Sequence, residues 1–208
     1  MKLYSYFRSS AAYRVRITLN IKDIAHTIVP VNLLKKEHLQ AAYKAMQPQG
    51  LVPCLEITPG DYIFQSRVII DYLNEYQSAP GLLPINPTQA ITTKTIVDII
   101  ACDIHPMCNL RILKYLTENL KIDEEQKLTW YRHWVEEGFA ALENLVEGEA
   151  FCVGQQLSLA DIYLIPQVYN ALRFKVDMQA FPKLMHIYQH CNTLPAFIKA
   201  TPENQLDA

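Results

Sequence analysis

Three short stretches of this chain set polar groups where a strand pattern meets a helix pattern, an arrangement suited to holding a small anion. The first is Arg8-Ser9-Ser10-Ala11, where a hydroxyl pair precedes an apolar helical run. A helix start leaves backbone N–H groups without carbonyl partners and carries the positive end of the helix dipole, so it stabilises negative charge. The same serines also suit an ordinary N-cap. The second stretch is Gln65-Ser66, again directly after a strand pattern and before an amphipathic helix, so one ligand could meet two helix starts. The third is Val52-Pro53, where proline opens a strand. An X-Pro bond can be cis, which would turn the Val52 carbonyl and N–H toward a ligand.

The elements that must hold these stretches follow from periodicity. Leu3, Ser5 and Phe7 alternate with Tyr4 and Tyr6 as a strand does, and Ser9-Ser10 then caps a helix through Val15, Ile17, Leu19 and Ile21. Ile28 to Asn32 reads as a second strand, with Pro30 favouring a sheet edge, and residues 35–44 as a short helix or irregular segment. Strands 52–57 and 62–64 flank Thr58-Pro59-Gly60-Asp61, whose Pro and Gly mark a hairpin turn. The helix from Ser66 carries an apolar stripe of Val68, Ile69, Tyr72 and Leu73. The order is β-α-β-β-β-α, or β-α-β-α-β-β-α if the 35–44 segment is helical.

Residues 77–87 hold Pro80, Gly81, Pro84 and Pro87, which a helix interior or central strand does not tolerate, so the linker is expected there. This gives a first domain over 1–80 and a second, all-helical domain over 88–208. Its helical patterns cover residues 88–118, 124–146, 159–174 and 181–198. Ser158-Leu159-Ala160-Asp161 is a capping box, with Leu157 and Ile162 as its hydrophobic staple.

Composition narrows the function classes. With 208 residues, 50% hydrophobic and 19% charged, and a net charge of −2, the chain is an ordinary globular protein without a nucleic-acid footprint. No window approaches a membrane span, and the amino terminus lacks a secretory pattern, so a cytoplasmic protein is expected. The five cysteines are scattered and form no C-x-x-C pair, which suggests reduced thiols and neither a disulfide framework nor a metal site.

Taken together these residues resemble the glutathione transferases, and the run from Tyr4 to Ile17 is similar to the zeta-class signature S-S-C-x-W-R-V-R-I-A-L. Further similar stretches are Val31–Leu34, Gln49–Pro53, Gln65-Ser66, Asp103–Pro106, Asn109–Arg111, Leu164–Ala171 and Arg173-Phe174, so the resemblance covers nearly the whole chain. It implies an α+β architecture, a thioredoxin-like domain followed by an all-α domain, and a homodimer with glutathione as cofactor. It also implies a glutathione-dependent cis-trans isomerase acting on maleylacetoacetate in tyrosine and phenylalanine breakdown, or on maleylpyruvate. In that chemistry a thiolate adds to the activated double bond of a small cis-diketo acid, the resulting single bond rotates, and the thiol is expelled.

By the same resemblance Ser9 and Ser10 activate the thiol, and the glutathione site is drawn from Ser9, Ser10, Ala11, Ala12, Tyr13, Arg14, His38, Val52, Gln65, Ser66, His105, Asn109, Leu110 and Arg111. Val52 would pair its backbone with the cysteinyl unit, Gln65 and Ser66 would hold the γ-glutamyl carboxylate, and His38 would lie near the glycyl end. His105 could contact glutathione, polarise the substrate enol, or simply pack. The carboxylates of the substrate need cations, and Arg8, Arg111 and Arg173 are the candidates, because guanidinium grips carboxylate in two prongs; a surface ion pair is the other reading of Arg8 and Arg173. Ala11 stands where the signature has cysteine, which leaves glutathione as the nucleophile and the serines as its activators. Two other readings use the same grip or the same fold: thiol displacement at an α-halo acid, and a glutathione-binding module with little catalysis.

Overall fold

The computed structural model describes residues 1–147 and 149–208, in two compact units: Met1–Gly81 with Asn192–Ala208, and Leu82–Cys191. The first unit contains β1 (Lys2–Ser5), α1 (Ser10–Ile21), β2 (Thr27–Pro30), a 3-10 turn at Glu37–Leu39, α2 (Ala41–Met46), β3 (Cys54–Thr58), β4 (Asp61–Phe64) and α3 (Ser66–Tyr76). The 35–44 region is thus helical in part, and the longer of the two expected orders is the one found.

The four strands form one sheet in the order β2-β1-β3-β4, with β1 parallel to β2 and antiparallel to β3. Pro30 ends β2, an edge strand, where its missing N–H costs no ladder bond. Gly60, at φ +86, closes the β3–β4 hairpin in a conformation that an L side chain rarely adopts. Leu3, Val15, Leu19, Leu55, Ile69 and Leu73 are fully buried, with α1 packed against α3 and α3 against β4.

The second unit is helical: α4 (Pro87–Asp98), a π-helical turn (Ile99–Ile104), α5 (His105–Met107), α6 (Leu110–Glu118), α7 (Glu124–Leu145), α8 (Leu159–Arg173) and α9 (Pro182–Cys191). The expected 88–118 helix is broken near Cys108-Asn109, where Asn109 caps a new start. The capping box at α8 is formed, and the buried Asp161 carboxylate accepts from the N–H of Ser158 at 2.8 Å and of Cys152 at 2.7 Å. Asp161 therefore fixes the incoming loop as well as the helix start, and its burial raises its pKa despite those bonds.

The expected helical domain over 88–208 differs from this division at its carboxyl end. Pro195 starts a separate α10 (Pro195–Ala200), and this segment packs in the first unit, against α1. Asn20 Nδ2 donates to the Ala196 carbonyl and Arg16 Nε to that of Ala200, both at 3.0 Å. Such bonds between residues far apart in sequence leave no periodic mark, so the apolar pattern alone ran the two helices together.

Candidate functional site

Strand register gathers the three stretches at one end of the sheet. Tyr4 of β1 pairs with Cys54 of β3, which in turn pairs with Phe64 of β4. The loop leaving β1, the segment entering β3 and the residue leaving β4 therefore share that end, and α1 and α3 both begin there. Neither helix carries an acidic residue in its first turn, so the positive potential of both starts is left for a ligand.

Ser9 is the N-cap of α1, and its Oγ accepts the Ala12 N–H at 3.2 Å. A hydroxyl that accepts still has its own proton to donate. Ser10, the first helical residue, is buried to 6% exposure, whereas Ser9 is half-buried. Ala11, Ala12, Tyr13 and Arg14 follow in the same turn with their side chains buried, so a ligand reaches this turn through hydroxyls and backbone N–H groups.

The loop that presents Ser9 is held by a residue not among the expected site residues. The buried Arg16 guanidinium donates to Ser5 Oγ and the Phe7 carbonyl at 3.0 Å each and to the Tyr6 carbonyl at 3.5 Å. Charge-assisted bonds of this type contribute about 1.5–3 kcal/mol each. Asp207 Oδ2 adds an acceptor for the Phe7 N–H at 3.1 Å. The signal for Arg16 was present: an arginine inside the apolar helical run Val15-Arg16-Ile17 needs buried acceptors.

At β3 the Val52-Pro53 bond is cis and the ladder begins only at Cys54, which leaves the Val52 peptide groups outside the sheet pairing. Gly50, at φ +62, sits so close to the His38 carbonyl that a Cβ there would lie 2.9 Å from it, so the 3-10 turn carrying His38 is seated against the segment leading to Val52. Tyr43 donates its hydroxyl to the Leu51 carbonyl at 2.8 Å, fixing the same segment. Gln65 takes φ 74, outside the regions that non-glycine residues favour, and its Nε2 donates to Gln49 Oε1 at 2.6 Å. Ser66 opens α3 and is buried. The cysteine at this end of the sheet, Cys54, is fully buried, and burial pushes its thiol up to about 11. It is therefore a packing residue at neutral pH and no nucleophile.

The other expected residues lie in the second unit. His105 opens α5, and Asn109 caps α6 by accepting the Arg111 N–H at 3.1 Å. Leu110 and Arg111 are exposed on the first turn of α6. Arg173, exposed at the end of α8, stacks over Phe174 at 4.7 Å, and Phe174 stacks in turn on buried Tyr131. Arg8 of the first unit is likewise exposed and lies over Phe7 at 4.8 Å. Among the described residues no carboxylate stands within ion-pair distance of Arg8, Arg111 or Arg173.

Comparison with known proteins agrees with this geometry. Residues 3–81 match the glutathione S-transferase N-terminal domain and residues 123–195 the C-terminal domain. A probable maleylacetoacetate isomerase of Vibrio cholerae is 46% identical, covering 99% of this chain and 97% of its own. The holo structure of maleyl pyruvate isomerase, a bacterial zeta-class glutathione S-transferase, superposes with a TM-score of 0.96 at 39% identity over 100% of both chains. A maleylacetoacetate isomerase of Methylobacterium extorquens with bound malonate and glutathione gives a TM-score of 0.95 at 33% identity, over 100% of this chain and 99% of the other. Fold, signature and full-length similarity agree that the chain belongs to the glutathione S-transferase family, in the zeta class that includes the maleylacetoacetate isomerases.

Proposed function

We propose that this protein is a glutathione-dependent isomerase that converts the cis double bond of maleylacetoacetate to trans, in tyrosine and phenylalanine breakdown. The observation that carries the reading is the α1 start, where Ser9 keeps a hydroxyl proton to donate, no first-turn acid competes, and Val52 and Gln65 offer polar groups at the same end of the sheet. These donors fit glutathione, which brings carboxylates and a thiol that needs stabilising as thiolate. Bound glutathione would supply a nucleophile that adds to the activated double bond and leaves again, freeing rotation.

The residues of the chain bind and orient around that chemistry. The Ser9 hydroxyl would donate a hydrogen bond to the glutathione sulfur, favouring its thiolate form, and the first-turn N–H groups and dipole of α1 would add to that stabilisation. The Val52 peptide groups pair with the cysteinyl unit. Gln65 and the Ser66 N–H hold the γ-glutamyl carboxylate at the start of α3, and His38 lies toward the glycyl end. Arg8, Arg111 and Arg173, each exposed and with no carboxylate partner among the described residues, bind the carboxylates of the substrate. Asn109 holds the first turn of α6, on which Leu110 and Arg111 are presented, and His105 stands one turn earlier.

Maleylpyruvate is the second substrate reading, favoured by the close superposition on a maleyl pyruvate isomerase. Exposed apolar residues on α3 (Val68) and α4 (Ile91) suit a homodimer, and no described helix is long and apolar enough to cross a membrane, in keeping with a cytoplasmic enzyme. The test is isomerisation of maleylacetone and of maleylpyruvate by purified protein, with and without glutathione. Turnover of either one, only with glutathione, is expected. Glutathione binding without turnover of either would leave a binding module and end the isomerase reading.

A further inference from the structure

Gly138 sits inside α7, where any other residue short of proline would form helix better. Its surroundings give the reason. A Cβ built on Gly138 would lie 2.3 Å from Ile104 Cγ1 and 2.4 Å from Cδ1, distances that no real contact reaches. Ile104 is 1% exposed and β-branched, so its side chain has neither room nor an easy rotamer to escape.

Ile104 is the last residue of the π-helical turn Ile99–Ile104, in which the His105 N–H reaches back five residues to the Ile100 carbonyl. A π turn carries one residue more than an α turn, and one residue rotates everything beyond it by roughly 100° and advances it by about 1.5 Å. What lies beyond is His105-Pro106, then Asn109 and the first turn of α6 with Arg111. The same helix α7 grips this exit at two further points, since Trp130 Nε1 donates to the Met107 carbonyl at 2.9 Å and Cys108 Sγ to the Tyr131 carbonyl at 3.8 Å. Tyr131 and Gly138 are seven residues apart, on one face of α7.

We propose that Gly138 is a positioning residue: by leaving space for Ile104 it fixes the π turn, and through it the phase at which Asn109 starts α6 and Arg111 is presented to the substrate carboxylate. The inference rests on the reading of Arg111 as a carboxylate ligand. Most of the groups proposed to hold glutathione, at Ser9, Val52, Gln65 and Ser66, lie in the first unit, so its affinity responds less and serves as the comparison.

The experiment compares wild type, Gly138→Ala, Ile104→Ala and the double variant, using maleylacetone turnover and titrations with malonate and with glutathione. In Gly138→Ala, KM for maleylacetone and Kd for malonate rise about fivefold or more, while kcat and glutathione affinity stay within about twofold. In the double variant the clash is gone, because Ile104 Cβ lies 3.8 Å from the added carbon, and KM returns toward wild type. Should Gly138→Ala fail to fold, the decision passes to Ile104→Ala, whose KM rises as the π turn loosens and falls again when alanine at 138 refills the space. An unchanged KM in both folded single variants, or a double variant no better than either, overturns the inference. A wild-type protein that neither turns over maleylacetone nor binds malonate removes the functional reading itself, and the inference with it.

Discussion

Ser9→Ala separates two jobs that the structure gives to one hydroxyl. As N-cap, Ser9 Oγ accepts the Ala12 N–H at 3.2 Å, and its loss costs about 1 kcal/mol, or roughly 2–4 °C in Tm for a chain of this size. As thiolate donor it makes a hydrogen bond to a charged group, worth about 1.5–3 kcal/mol, and at 1.36 kcal/mol per unit this corresponds to roughly 1–2 pKa units of the bound thiol. The assay is a pH titration of thiolate ultraviolet absorbance in the enzyme–glutathione complex, alongside thermal unfolding. Ser9→Ala should raise the pKa of the bound thiol and lower Tm, and Ser9→Thr should retain most of both. The half-buried position of Ser9, against the 6% exposure of Ser10, makes it the larger contributor, so Ser10→Ala should move the thiol less. A fall in Tm with the bound thiol unmoved would refute the reasoning and leave Ser9 as a cap alone.

Three other outcomes can be checked separately. Arg111→Ala should raise KM for maleylacetone about tenfold or more while glutathione affinity changes far less, because a lost carboxylate contact acts mainly on substrate; equal losses for both ligands would contradict the assignment. Gln65→Gly should raise Tm, since glycine adopts φ 74 freely, relieving about 1–3 kcal/mol against roughly 0.5–1 kcal/mol of added chain entropy, while glutathione affinity falls. At pH 8 a thiol reagent should find one fast cysteine, the exposed Cys102, because burial pushes Cys54 up to about 11, Cys108 up to about 12, and Cys152 and Cys191 up as well. These folded-state pKa values lie above the unfolded value near 8.5, so their stabilising contribution is complete below about pH 8.5 and is lost as pH climbs toward 11–12; a urea midpoint no lower at pH 10 than at pH 8 would contradict this.

Much of the fold was legible because its signals are local. The Ser9 cap, the Thr58–Asp61 turn, Pro30 at the sheet edge and the Ser158–Asp161 box each act within a few residues, and sequence spacing shows them directly. The features that were not legible depend on distant partners. Arg16 reaches an acceptor 184 residues away at Ala200, which ties the carboxyl end to the first unit. The π turn before His105 exists against a glycine on another helix, and an apolar pattern of three and four spacing passes through it unmarked. At the site, the serine pair and Gln65 were visible as helix starts. The positive φ of Gln65 and the support given by Arg16 were not, since backbone strain and buried donors appear only once the chain is packed.

Glutathione, and no protein thiol, is the proposed nucleophile: Ala11 occupies the signature's cysteine position, and Cys54 is buried as a thiol. The direct measurement is maleylacetone isomerisation with glutathione and with S-methylglutathione, each shown to bind by competition. Turnover with glutathione and none with the S-methyl analogue is the result expected; equal turnover with both, or turnover with neither present, would contradict it.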